Sequence, residues 1–152
     1  MEKEKKPKFI VDFWRDMTTL GGAAFYSVIM LTVLVLNQIP LFFKLLFGFL
    51  FTGAVVVIIR KIYFKNRPVK QEYHNQLEKI DAASFPSWHA ARITFLALIF
   101  TTFFMSSTLS IIFILITLIT IYSRIYLRKH DWMDVLGGFA LGLITFGISM
   151  YV

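Results

Sequence analysis

Five apolar stretches decide what this chain can fold into. Residues 21–36 and 109–123 are uncharged, 39–59 carries only Lys44, 90–105 only Arg92, and 133–152 only Asp134 at its start. Each runs about 15–21 residues, or roughly 22–32 Å of helix, which is the range of a bilayer's hydrocarbon core. All are apolar on every side, so they read as membrane spans and not as one-faced soluble helices. Only 16% of the residues are charged, against about 25% in soluble domains. That balance excludes a disordered chain, a coiled coil and an ordinary cytosolic enzyme. It predicts an all-α integral membrane bundle of about five transmembrane helices. The chain has no cysteine, so disulfides, a thiolate nucleophile and a Cys-ligated metal are excluded.

Ahead of the spans, residues 1–8 form a basic head with no resemblance to a cleavable signal peptide. Residues 9–20 place Phe9, Phe13, Met17 and Leu20 at helical spacing, with Asp12, Arg15, Asp16 and Thr19 on the other side. A stretch of about three turns cannot span, so it predicts an amphipathic helix in the headgroup layer. The organisation expected is therefore a head and interfacial helix over 1–20 and a single transmembrane domain over 21–152.

The connections differ sharply in chemistry. Those at 37–40 and 106–108 are short and uncharged, whereas 60–87 and 124–132 are dense in ionisable groups. With five spans, the N-terminus and both charged connections fall on one face of the membrane. That face then holds fifteen of the sixteen Lys and Arg, all nine acids and all three His, leaving Lys44 alone on the other. One face carries the chemistry; the other turns the chain around.

Three segments on the charged face complement one another. His130 and Asp134 are four apart, so on a helix the carboxylate can hold the imidazole Nδ1–H and leave Nε2 as nucleophile or base. Ser87 stands where an N-cap belongs, offering an anion the free N–H groups at the start of the third span. His89 follows, placed to protonate a leaving oxygen. Arg60, Arg67 and Arg124 supply forked donors that match phosphate oxygens, and Lys65 lies between the first two. The antiparallel spans between residues 90 and 122 return these segments to one membrane face. Such a set suits phosphoryl transfer without a metal, because a ring of Arg and Lys repels a cation. His74, Lys70, Arg128 and Lys129 stand outside the pattern and read as structural or anchoring groups. Gly138 and Gly142 read as a helix-packing stripe.

In order along the chain stand Arg60-x6-Arg67-Pro68, Pro86-Ser87-Trp88-His89 and Ser123-Arg124-x5-His130-x3-Asp134. This resembles the signature Lys-x6-Arg-Pro, Pro-Ser-Gly-His, Ser-Arg-x5-His-x3-Asp of the type-2 phosphatidic acid phosphatases. These are integral membrane lipid phosphatases related to the soluble vanadium haloperoxidases. The third part matches in full, while Arg60 replaces Lys and Trp88 replaces Gly. The parts are separated by 17 and 33 residues, consistent with the family's order and spacing.

The resemblance implies that His130 attacks phosphorus and forms a phosphohistidine, with Asp134 orienting it and His89 protonating the departing group. Arg60, Arg67, Ser87 and Arg124 would bind the phosphoryl oxygens, assisted by Lys65 and the backbone at Trp88. Neither a metal nor another cofactor is called for, and no nucleic acid. The expected partners are the bilayer and a lipid phosphate: phosphatidylglycerol phosphate, phosphatidic acid, undecaprenyl pyrophosphate or a lipid A phosphate. A phosphotransferase on the same scaffold is the first alternative. The second is an anion-binding protein with weakened turnover, for which Trp88 argues, since glycine allows φ > 0 and close approach and tryptophan does not. The spare loops suggest a prokaryotic inner-membrane protein. The resemblance implies an extracytoplasmic site, whereas the positive-inside rule points to the cytoplasm.

Overall fold

The computed structural model describes residues 7–152, so most of the basic head at 1–8 lies outside the described residues. Those described form seven helices and no strand: α1 (Lys8–Thr19), α2 (Ala23–Val35), α3 (Ile39–Ile62), α4 (Gln76–Ala82), α5 (Trp88–Phe104), α6 (Ser107–Tyr126) and α7 (Trp132–Ser149). The all-helical membrane architecture stands. By length and composition three helices can each cross a bilayer, α3, α6 and α7, with 24, 20 and 18 residues. The count becomes four if α1 and α2, bent by 44°, form one broken span. Five were expected because the apolar runs include residues that fold as breaks and turns. Once these are removed α2 has 13 residues, about 20 Å of helix, whereas α5 starts ahead of its run, at Trp88, and still has only 17.

The amphipathic stretch at the N-terminus is helical as expected, and it leans on the bundle. Trp14 packs its ring 5.0 Å from Tyr122 and 5.3 Å from Tyr126, at the end of α6. The chain then bends at Gly21. A Cβ there would lie 3.0 Å from the His89 backbone and Cβ, so a residue without a side chain lets the bend press against the start of α5.

Helix α5 is the axis of the bundle, packed against α7, α6 and α3. Its Phe95, Leu96 and Ile99 meet Tyr26 and Leu45 in the buried core. Lipid tails are as apolar as leucine, so close approach of backbones must hold such a seam together. Gly138 and Gly142 supply that approach on α7: added Cβ atoms would stand 2.2 Å from the Ser87 carbonyl oxygen and 2.7 Å from that of Ala91. Backbone oxygens cannot step aside. Gly138→Ala is therefore expected to cost about 1–3 kcal/mol as overpacking and to lower the melting temperature in detergent. Gly147→Ala is the control, since nothing lies within 4 Å of its added Cβ.

Candidate active site

Helices α3 and α6 end, and α5 and α7 begin, at the same face of the bundle. There a cavity of about 250 Å³ opens among Arg60, Arg67, His89, Arg124 and His130, with Trp88, Arg92, Asp81 and Ala23 completing its wall. Six residues singled out in the sequence for catalysis or phosphate binding, Trp88 among them, thus meet across three separate stretches of chain.

The sequence 130–134 folds as the entry to α7. Asp131 caps the helix, its Oδ1 accepting from the Asp134 N–H at 3.0 Å, while its own N–H donates to Asp134 Oδ2 at 3.0 Å. This reciprocal box orients Asp134. The Asp134 side chain is fully buried, and its Oδ1 accepts from Lys65 Nζ at 2.8 Å and from Ser84 Oγ at 3.3 Å. His130 Nδ1 faces Oδ2 at 3.6 Å, just beyond hydrogen-bond range, and has no other partner. On the opposite edge of the ring, Nε2 lies 3.4 Å from Arg124 NH2. A guanidinium only donates, so Nε2 must be the bare acceptor and Nδ1 must carry the proton. This is the tautomer a nucleophilic Nε2 requires.

Burial is the main force holding His130 below the ordinary histidine range, at about 4; Asp134 opposes the shift and Arg124 adds to it. A lowered pKa keeps the imidazole neutral from neutral pH down to about pH 4. In protein labelled with 15N-histidine, His130 should therefore retain neutral-ring shifts at pH 6 and protonate near pH 4. Protonation near the unperturbed value of about 6.5 would contradict this environment.

Lys65 stands outside the cavity wall. Its Nζ is shared by Asp131 Oδ2 at 2.6 Å and Asp134 Oδ1 at 2.8 Å. Burial works against the ammonium, but the two carboxylates outweigh it and raise its pKa. Ser87 is also off the wall and wholly buried: its Oγ caps α5 by accepting from the Ala90 N–H at 3.4 Å, and its N–H donates to the Asp134 carbonyl at 2.9 Å. Ser84 and the capping role of Asp131 are not among the sequence expectations. The capping spacing from Asp131 to Asp134 was the available signal for one of them.

The arginines divide their donors between loop and cavity. Arg60 donates from NH1 and NH2 to the carbonyls of Ile80 and Pro86, each at 3.1 Å. Arg67 donates to Gln71 Oε1 at 2.6 Å and to the Asp81 carbonyl. Arg124 donates to Thr18 Oγ1 at 2.9 Å, which fastens α1 to the site. Each of the three keeps a buried Nε with no partner.

Trp88 occupies ordinary helical backbone as the first residue of α5, and it is absent from the positive-φ residues Asn37, Met105 and Arg128. No glycine is required at this position. Its indole turns toward α3, donates from Nε1 to Thr52 Oγ1 at 3.3 Å, and fills the space left by Gly53.

The model of the PAP2 superfamily matches residues 41–152. Among solved structures, the chain is similar to a transmembrane PAP2-type phosphatidylglycerolphosphate phosphatase from Bacillus subtilis. The two share 22% identity, with a TM-score of 0.74 over 97% of this chain and 78% of that one.

Proposed function

Because the chain belongs to the PAP2 superfamily, we propose that it is a metal-independent lipid phosphatase working through a phosphohistidine on His130. One observation carries this reading: a buried imidazole with its Nε2 toward a guanidinium-lined cavity at one end of a helical bundle. Arg67 and Arg124 draw the phosphoryl oxygens in, and the unpartnered Nε of Arg60 adds a third donor. His130 Nε2 attacks phosphorus, the P–O bond to the lipid breaks, and His89 protonates the departing oxygen. Water then attacks the phosphohistidine, its proton passes to His89, and the P–N bond breaks to release orthophosphate. Asp134 Oδ2, 3.6 Å from Nδ1, closes on Nδ1–H as the ring becomes cationic, and Lys65, Ser84 and the Asp131 N–H hold Asp134. Lys65 is thus a positioning residue for the nucleophile, and Ser87 works through the start of α5.

The apolar bundle supplies the reason for a lipid substrate: the cavity opens at helix ends, and residues 21–152 form one transmembrane unit. The neighbour's substrate, phosphatidylglycerol phosphate, is one candidate beside phosphatidic acid and lipid diphosphates. The test is phosphate release from a panel of lipid phosphates in detergent. Release that survives EDTA and falls with vanadate is expected. Loss with EDTA and rescue by Mg²⁺ would replace the mechanism with a metal-assisted one, and no release from any lipid would remove the reading. We place the site at the extracytoplasmic face of a prokaryotic plasma membrane. A cysteine at exposed Lys70, in a chain without native cysteine, should then react with an impermeant maleimide in intact cells, and protection until lysis would reverse the orientation.

A further inference from the structure

Arg92 is used by no part of that mechanism, yet it is 3% exposed, lies within an apolar helix and lines the cavity. Its Nε and NH1 are buried with no hydrogen-bond partner, and no carboxylate pairs with it among the described residues. A guanidinium in a membrane bundle without a counter-ion is costly unless an anion arrives to meet it. What holds it is a ring: its Cζ sits 4.6 Å over the Trp88 indole, and the indole is tied to Thr52. A cation–π contact fixes the guanidinium while leaving its N–H groups free for a ligand.

We infer that Arg92, held by Trp88, binds a second phosphoryl group, so that the cavity favours a lipid diphosphate over a lipid monophosphate. The inference rests on the phosphatase reading and extends it to substrate class. Position supports it. Arg92 follows His89 by three residues on α5, hence about one turn, or roughly 5 Å, deeper in the bundle on the leaving-group side. When a monoester is cleaved, the group departing toward that side is an alcohol, neutral once protonated, and Arg92 has nothing to hold. When a diphosphate is cleaved, His130 Nε2 attacks the terminal phosphorus and the P–O–P bridge breaks. The bridging electron pair leaves with the lipid monophosphate, whose anionic oxygens meet Arg92. Water then cleaves the P–N bond and frees orthophosphate, as before.

The decisive comparison uses farnesyl diphosphate and farnesyl monophosphate, which share one tail, with the full chain and its Arg92→Gln and Arg92→Lys variants. The parent should favour the diphosphate in kcat/KM, and Arg92→Gln should lower the diphosphate value about 10- to 100-fold more than the monophosphate value. Arg92→Lys should restore part of the preference. Equal losses on both substrates, or an unmoved ratio, overturn the inference. Calorimetric titration with inorganic pyrophosphate and orthophosphate supplies a readout independent of turnover. The parent should bind pyrophosphate the more tightly and Arg92→Gln should lose that advantage. Equal affinities in the parent overturn the second subsite whether or not lipid is hydrolysed. Absent hydrolysis of both lipids with the pyrophosphate preference intact would instead sink the phosphatase reading alone.

Discussion

Replacing His130 by alanine is expected to lower phosphate release by about 10⁴-fold or more, the scale seen when a covalent nucleophile is removed. The ring is buried, but its nearest polar neighbours are Arg124 at 3.4 Å and Asp134 at 3.6 Å, and it borders an existing cavity. Its loss therefore enlarges a hollow already present and leaves the helices in place. The variant should keep its helicity and melting temperature and still bind orthophosphate through the arginines. Turnover within tenfold of the parent, measured under single-turnover conditions, would contradict the nucleophile assignment.

Asp134→Asn should come next, with a fall of about 10³- to 10⁴-fold in kcat and little change in KM. The amide has nearly the shape of the carboxylate, so packing is preserved, but its NH₂ can face Nδ1 and favour the other tautomer. That tautomer puts the proton on Nε2 and removes the lone pair needed for attack, which is how a triad carboxylate earns its effect. Lys65 would keep Asp131 as a partner at 2.6 Å, so folding should survive. A large rise in KM with kcat intact would place Asp134 in substrate binding and not in orientation.

Much of this site is legible in the sequence because helix geometry turns spacing into position. Ser87 reads as a cap and antiparallel helices return the segments to one end, while His130 meets Asp134 from the loop just ahead of the N-cap Asp131 and not from a shared helix face. Lys65 shows where that reasoning stops. A lysine between two arginines looks like a phosphate ligand until the fold brings two carboxylates within 2.8 Å of it. Arg60 is similar, since two of its donors go to the carbonyls of Ile80 and Pro86 across a loop whose path no local pattern reveals. Arg92 was read only as an interruption of an apolar run. Its spacing from Trp88 and His89 did hold the signal, because residues three and four apart share a helix face. The span count differed for a different reason: hydropathy does not distinguish helix from the apolar turns at its ends, so α2 is shorter than its run.

The account's central claim is that the phosphoryl group passes through His130, and one measurement tests it directly. A lipid phosphate carrying ³²P in its terminal phosphoryl group is mixed with the protein, quenched in alkali within milliseconds and digested. Alkali-stable, acid-labile label confined to the peptide containing residue 130 is the predicted result. Steady release of labelled phosphate with no label on protein, or with label at His89 instead, would contradict it.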